Sequence, residues 1–431
     1  MTRSTPDACP GVLRLHQAAD GPLARIRVPG GRLTPEQIQT LADAARDLGN
    51  GNLELTSRGN IQLRQVRDAS ELAGRLEVAG LLPSDTHERV RNIVASPLSG
   101  RVGGWADVHG LAADLDSGLR SDLRFADLPG RVLFTLDDGR GDVSTLRGDI
   151  GIQAVATDTF ALLLAGTDTG LRVTAAEAVE VMLDAARGFL DLRGSGEAGQ
   201  WRLHEIPGGA EQVVEALDRS PAGLPLELGA THDIPIGWLD QDDGLVSLGA
   251  AVPLGTLPAR TAEFLAAIDH PVFVTPWRSV VVTDLAEGPA ETVVRVLAPM
   301  GLIFDAQSPW LQVSACAGRP GCAKSRTDVR ADAAAAVESQ RVLGIPLAGP
   351  TSASASASAS ASASASASDD GTTAPDSLRN APPTPAETVA AEDVVVAGRQ
   401  HWSGCDRRCG RPTGPVTDVV ATDHGYRVDA P

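Results

Sequence analysis

Aromatic side chains are scarce in this chain: they make up 3% of 431 residues, with one tyrosine. The core must therefore be built from Val, Leu, Ala and Ile. Lysine is scarcer still, because Lys324 alone stands among 37 basic residues. Positive charge is in deficit, with a formal net charge of −18 and a pI near 4.8. That argues against nucleic acid or an anionic membrane as a general partner. No run of about 20 apolar residues occurs, so no ordinary membrane-spanning helix is expected. The opening MTRSTPDACPG has no apolar stretch of the secretory kind, and the reducing cytoplasm is the expected compartment. No Gly-x-Gly-x-x-Gly follows a strand. GNGNLEL lacks the third glycine and leads into a strand, which argues against a built-in dinucleotide site.

What is present is concentrated near the C-terminal end. Cys316 and Cys322 sit in VSACAGRPGCAKSR with five residues between them, and Cys405 and Cys409 sit in HWSGCDRRCGRP with three between them. Both pairs lie in Gly/Pro-rich polar surroundings, hence on loops or helix starts. Structural disulfides are rare in a reducing compartment. Zinc prefers ligand spacings of two to four residues, which a five-residue gap and a long separation fit poorly. Four thiolates at varied spacing suit a [4Fe–4S] cluster. Cys9 is left over, and a lone thiol is by default a small buried residue.

The N-terminal region reads strand, helix, strand, helix. LARIRVPGG alternates Ala24, Ile26 and Val28. LTPEQIQTLADAARDLG predicts a helix, with Thr34 and Gln37 in capping-box spacing and Pro35 at the first position. NLELTSRGNIQLRQV predicts two strand segments around a Thr-Ser-Arg-Gly break, and DASELAGRLEVAGLLP a second helix. The same order returns about two hundred residues later. VFVTPWRSVVVTDL lies against LELTSRGNIQL, with Thr275 on Thr56, and LQVSACAGRPG can be laid on RNIVASPLSG. A duplication of two α+β halves about a pseudo-two-fold axis is expected, with a ligand cleft between them. RVLFTLDDGRGDV, DIGIQAVA and FALLLAGTD read as an antiparallel meander. Residues 352–368 are a strict Ser-Ala alternation with nothing to bury, the composition of a disordered insertion.

VSACAGRPGCAK with HWSGCDRRCGRP resembles the cluster signature of the nitrite/sulfite reductase superfamily. LTSRGNIQLR resembles its Thr-x-Arg-x-x-x-Gln strand, and VRNIVASPLSG its Arg-Asn strand. Within it, ACPGVLRLHQAADGPLARIRVPGG, VTPWRSVVV and the two cysteine motifs are similar to the precorrin-3B synthase family of aerobic cobalamin biosynthesis. The resemblance implies an α+β architecture of two ferredoxin-like half-domains (10–85 and 216–305). It also implies a first sirohaem-domain-like module (86–215) and an iron–sulfur module (306–346 with 393–431), interrupted by the Ser/Ala-rich insertion (347–392). It implies O2- and NAD(P)H-dependent hydroxylation of precorrin-3A at C20, with closure of a γ-lactone.

Carried over position by position, Cys316, Cys322, Cys405 and Cys409 are the implied [4Fe–4S] ligands, and Arg58, Asn60, Arg91 and Arg131 the implied substrate contacts. Arg64 is expected beside Arg58 and Arg91 around the cleft, where bidentate guanidinium groups suit the tetrapyrrole carboxylates. Arg131 falls where the reductases carry the first of two lysines, but the second lysine position is Leu133. That departure weakens an oxyanion-reducing role, which needs the full cationic set. The family also implies a mononuclear non-haem iron. No His-x-Asp or His-x-Glu stands out, and His87 and His401 are the candidates, each read more readily as structural than as a ligand. Electrons from NAD(P)H are expected through a separate reductase or ferredoxin. The competing readings are a sirohaem nitrite or sulfite reductase and a non-catalytic iron–sulfur protein that binds a tetrapyrrole.

Overall fold

The computed structural model describes residues 7–194, 199–228, 234–343, 388–412 and 414–431. The Ser-Ala alternation lies outside the described residues. None of the described helices is long and apolar enough to cross a membrane.

Two five-stranded sheets carry the duplication, and they share one strand order. The first runs His16–Ala18, Gly21–Ile26, Ile61–Arg64, Asn52–Leu55, Thr256–Pro258. The second runs Gly237–Asp240, Val246–Ala251, Ser279–Leu285, Val272–Val274, Arg32–Leu33. Each sheet is completed by a strand from the other repeat: Leu257 pairs with Leu53, and Leu33 with Val272. An exposed edge would leave backbone N–H and C=O groups unpaired, and the exchange covers the Asn52–Leu55 and Val272–Val274 strands. The helix Pro35–Leu48 forms as its sequence predicts. Thr34 accepts from the Gln37 N–H and the Gln37 side chain accepts from the Thr34 N–H. Its fully buried Leu41, Ala42 and Ala45 enter a core that also takes Leu248, Leu265 and Val280 from the second repeat.

The crossing is tight at two equivalent turns. Gly31 (φ 75°) and Gly255 (φ 72°) are both left-handed. A Cβ on Gly31 would stand 2.3 Å from the Val274 carbonyl oxygen, and one on Gly255 3.1 Å from that of Leu55. Gly31→Ala is therefore expected to destabilise the protein by about 2 kcal/mol or more, from backbone strain together with a backbone clash. A urea midpoint equal to that of the parent protein would contradict this reading.

The third sheet runs Thr167–Val173, Thr159–Leu164, Ile150–Ala156, Phe134–Asp137, Ile93–Ala95. It corrects the expected meander. Phe134–Asp137 pairs parallel with Ile150–Ala156, and only the later strands are antiparallel. The Asp/Gly-rich link read as a hairpin turn is a crossover with its own 3-10 turn at Ser144–Leu146, as a parallel pair requires. The fourth sheet repeats the pattern. Val313–Ala315, Gln400–Ser403 and Thr417–Thr422 run parallel, followed by antiparallel Gly425–Asp429 and Thr388–Val389. Ile93–Ala95 and Val313–Ala315 hold the same place, so Ser96 and Cys316 stand at equivalent strand ends. The Ser96 N–H donates to Leu136 O at 3.1 Å and the Cys316 N–H to Trp402 O at 3.0 Å. Fully buried Trp402, Val329 and Val419 with Tyr426 form the small core under the cysteine loops.

Candidate functional site

The cysteine loops grow from the ends of two adjacent parallel strands. Cys316 follows Ala315, whose strand partner is Trp402, and Cys405 lies three residues beyond Trp402. Strand pairing thus brings together cysteines 89 positions apart in number. The Gly404 N–H points at the Cys316 sulfur at 3.3 Å. The Arg326 N–H donates to Gly404 O at 3.0 Å, and a Cβ on Gly404 would strike Ser325 Oγ at 1.7 Å. Glycine at 404 is what lets the two loops close. Cys316, Cys322 and Cys405 are half-buried, Cys409 is exposed, and none of the cysteines is in a disulfide. The Cys409 thiol is pushed up, first by burial; Arg407 opposes, and the Cys316, Cys405 and Cys322 sulfurs add to the rise. All four sulfurs are therefore electrostatic neighbours.

Their spacing tests the metal. Among the described residues, only Asp137, Asp138 and Asp142 form a set of three or more ligand residues mutually within 4.8 Å. No three of the cysteine sulfurs meet that distance. Ligands of one tetrahedral zinc, at about 2.3 Å from the ion, stand only about 3.8 Å apart. A cluster whose thiolates bind different irons does not require that closeness, and the backbone donor at Cys316 is a contact of the kind that tunes one.

Arg64 supports this loop and does not line a cleft. It donates to Asp20 at 2.8 and 2.6 Å and to Gly321 O, inside the first cysteine loop, at 2.9 Å. It is 6% exposed. Glu54, 3.8 Å away, also holds Arg330 at 2.5 Å from the helix behind the loop.

The substrate residues implied by resemblance separate into two groups. Arg58 is half-buried, and it makes no ion pair and no side-chain hydrogen bond among the described residues. Burial and then Arg202 lower its guanidinium to about 10. Arg131 is exposed, 3.7 Å from Asp7 and stacked 4.8 Å over Trp201. Asn60 and Arg91, by contrast, are turned inward. Asn60 accepts from the Val28 N–H at 3.0 Å and donates to Asn92 at 3.1 Å. Arg91 is clamped by Asp116 at 2.5 and 3.0 Å and is 4% exposed. Both act as supports under the strand ends in this structure. His87 has both ring nitrogens engaged, by Ser84, Thr86 and the Asp122 carbonyl. His401 has Nδ1 meeting Ser314 Oγ at 2.9 Å, while buried Nε2 makes no hydrogen bond of ordinary geometry and has the Cys409 backbone as a polar neighbour. Burial and then Arg278 lower His401 to about 4.

Two arginines were missed from the sequence. Arg25 and Arg27 alternate with Ala24 and Ile26, so they read as the solvent face of a strand. The segment around Cys9 and Pro10 covers that face instead. Arg27 is 2% exposed, donates to Arg89 O at 3.1 Å, and leaves Nη1 without a partner. Burial and then Arg25 lower it to about 9. Arg25 is lowered as well, by burial and, in smaller part, by Arg131, and it donates to Gln62. Cys9 lies among these arginines with its thiol raised by burial and then by Asp7. Arg25, Arg27 and Arg58 each lack a carboxylate partner among the described residues, which leaves a wall of crowded positive charge.

The acidic trio occupies the place in the first half that the cysteine loop occupies in the second. The Asp138 N–H donates to Ser96 Oγ at 3.1 Å, as the Gly404 N–H does to Cys316. Its lone pairs are engaged within the loop. Asp137 accepts from the N–H groups of Gly139, Gly141, Val143 and Ser144, and Asp138 accepts from Arg140. Burial and then Asp137 raise Asp142 from the usual 3.8 to about 7. Between about pH 4 and 7 the folded chain holds a proton that the unfolded chain has released. The stability this proton confers is lost as pH rises through that window. At 1.36 kcal/mol per unit over about three units the loss is at most about 4 kcal/mol. The difference in unfolding free energy between the parent and Asp142→Asn is expected to shift across the same window, and a pH-independent difference would sink this assignment.

Comparison with known proteins places this geometry. Residues 16–73 match the nitrite/sulfite reductase ferredoxin-like half domain. The chain is 27% identical over 347 residues to a precorrin-3B synthase from Sinorhizobium sp, covering 77% of this chain and 73% of that protein. It is 22% identical over an alignment of 442 residues to the ferredoxin–nitrite reductase of Synechococcus elongatus, covering 92% and 75%. The solved structure of the Mycobacterium tuberculosis NirA protein superposes with a TM-score of 0.70 at 18% identity, over 94% of this chain and 74% of that one. That likeness establishes a shared fold.

Proposed function

We propose that this chain, which carries the nitrite/sulfite reductase ferredoxin-like half domain and fold, is a precorrin-3B synthase. In the proposed reaction one atom of O2 enters precorrin-3A at C20 and the other leaves as water. NAD(P)H supplies two electrons through a separate carrier, and an acetate side chain closes the γ-lactone. The observation that carries the reading is the character of the wall around Arg58. Half-buried Arg25 and Arg58 crowd together over buried Arg27 without carboxylate partners among the described residues, and their partly accessible guanidinium groups suit a ligand with several carboxylates. Beside this, Leu133 is 4% exposed and packs with Val94, Val143, Leu146 and Trp277. An apolar group there removes a cation that oxyanion reduction would use.

In this reading Arg58 and Arg131 bind substrate carboxylates, and Asn60 and Arg91 hold the strand ends that present them. Cys316, Cys322, Cys405 and Cys409 hold a [4Fe–4S] group, which when bound supplies one-electron transfer. His401, whose Nε2 makes no hydrogen bond of ordinary geometry, is the better of the two histidine candidates for a second iron. The test is anaerobic purification with an absorption spectrum and iron and sulfide assays, followed by incubation with precorrin-3A under O2. Cluster absorption and an oxygenated lactone product are expected. Sirohaem bands with nitrite or sulfite turnover would replace this reading with the reductase. Precorrin-3A binding without conversion would favour a non-catalytic tetrapyrrole-binding protein.

A further inference from the structure

Four cations crowd the outer rim of the cysteine loops: Arg319, Lys324, Arg326 and Arg407, all exposed. They line an open depression whose wall includes Cys405. Little opposes them. Arg319 donates to a backbone oxygen, that of Ser325, at 2.7 Å. Arg326 is paired with exposed Asp423 at 2.9 Å. Lys324 and Arg407 have no carboxylate partner among the described residues, and the one acid lining the depression, Asp406, is held by Arg427 at 2.9 Å. This positive spot belongs to a chain of net charge −18, and it contains the chain's only lysine.

We propose that this rim docks an acidic one-electron carrier protein. The inference rests on the reading of the four cysteines as an iron–sulfur site, and it adds where and by which residues the donor binds. A strongly negative protein repels an acidic partner over most of its surface, so an encounter is favoured at an exposed spot of opposite sign such as this one. A long polyanion such as nucleic acid would overrun so small a spot and meet the surrounding negative charge. Cys405 lines the depression itself, so a partner seated there stands against the thiolate site. Each encounter oxidises the donor by one electron and reduces the protein by one. Two encounters supply the two electrons of the proposed oxygenation.

The solitary lysine makes the contact readable. The full chain, isolated anaerobically, is mixed with an acidic plant-type [2Fe–2S] ferredoxin as probe, and a carbodiimide joins amines to apposed carboxylates. The expected product is an amide at Lys324. Lys324→Arg abolishes that product yet keeps ferredoxin-driven bleaching of the visible absorption. Lys324→Glu, alone and with Arg407→Glu, slows the bleaching about tenfold or more at low salt, and salt near 1 M slows the parent likewise. Coupling only at the N-terminal amine overturns the proposal. So does equal coupling to a redox-inactive protein of matched acidity, or a bleaching rate indifferent to these substitutions. If the isolated protein has no cluster absorption, the cofactor reading fails, while the cross-link still decides the docking surface.

Discussion

Cys405→Ala is expected to purify folded but without visible cluster absorption and without acid-labile sulfide. Its backbone surroundings do not depend on the thiol. The Cys316 N–H still donates to Trp402 O, the Arg326 N–H to Gly404 O, and Arg64 to Gly321 O. The core beneath, built on Trp402, Val329 and Val419, is also untouched. Three remaining thiolates leave one iron without a protein ligand, so loss of the cluster is expected to be near complete. Cys9→Ala is the matched control. Cys9 lies near Asp7, Arg25 and Arg131, away from the four-cysteine set, and its loss is expected to leave iron and sulfide unchanged. Full iron and sulfide in Cys405→Ala would remove Cys405 from the ligand set. Loss of iron in Cys9→Ala would mean that the arginine wall, too, holds metal.

Arg58→Ala and Arg91→Ala are expected to fail in opposite ways, although the sequence resemblance implies both as substrate contacts. Removing Arg58 leaves no carboxylate behind and relieves repulsion on Arg25, Arg27 and Arg202, so stability holds or rises. Removing Arg91 strands Asp116, 7% exposed, with only Arg120 at 3.1 Å to answer it. Breaking a buried pair from one side costs about 3–5 kcal/mol. For binding the order reverses. A charge-assisted contact to a substrate carboxylate contributes about 1.5–3 kcal/mol. On the proposed function, the dissociation constant for precorrin-3A is therefore expected to rise roughly tenfold to a hundredfold in Arg58→Ala. Urea unfolding and substrate titration of the two variants separate these outcomes. Unchanged precorrin-3A affinity in Arg58→Ala would take Arg58 out of the site.

Much of the fold was legible because its signals are local. The Thr34–Gln37 capping box and the alternation through Leu53 and Leu55 each need only a few neighbouring residues. The duplication was legible for a related reason: two stretches that fold alike keep alike patterns. That is why laying LQVSAC on RNIVAS places Cys316 on Ser96, where the two strand ends coincide. The antiparallel reading of RVLFTLDD and DIGIQAVA failed because a short Asp/Gly-rich link looks like a hairpin turn. Here Asp137 gathers four N–H groups and turns that link into a crossover.

The two cysteine pairs and the repeat that frames them stand in the sequence itself. Each is a matter of residue identity and spacing along the chain. Only the tertiary structure decided which arginines are available. Arg91 is neutralised by Asp116, 25 positions away, and Arg64 by Asp20 and by Gly321, 257 positions away. Arg25 and Arg27 are crowded because a distant segment covers what looked like a solvent face. A guanidinium's task depends on which carboxylates and carbonyls come within about 3 Å of it. Periodicity along the chain carries no information about that.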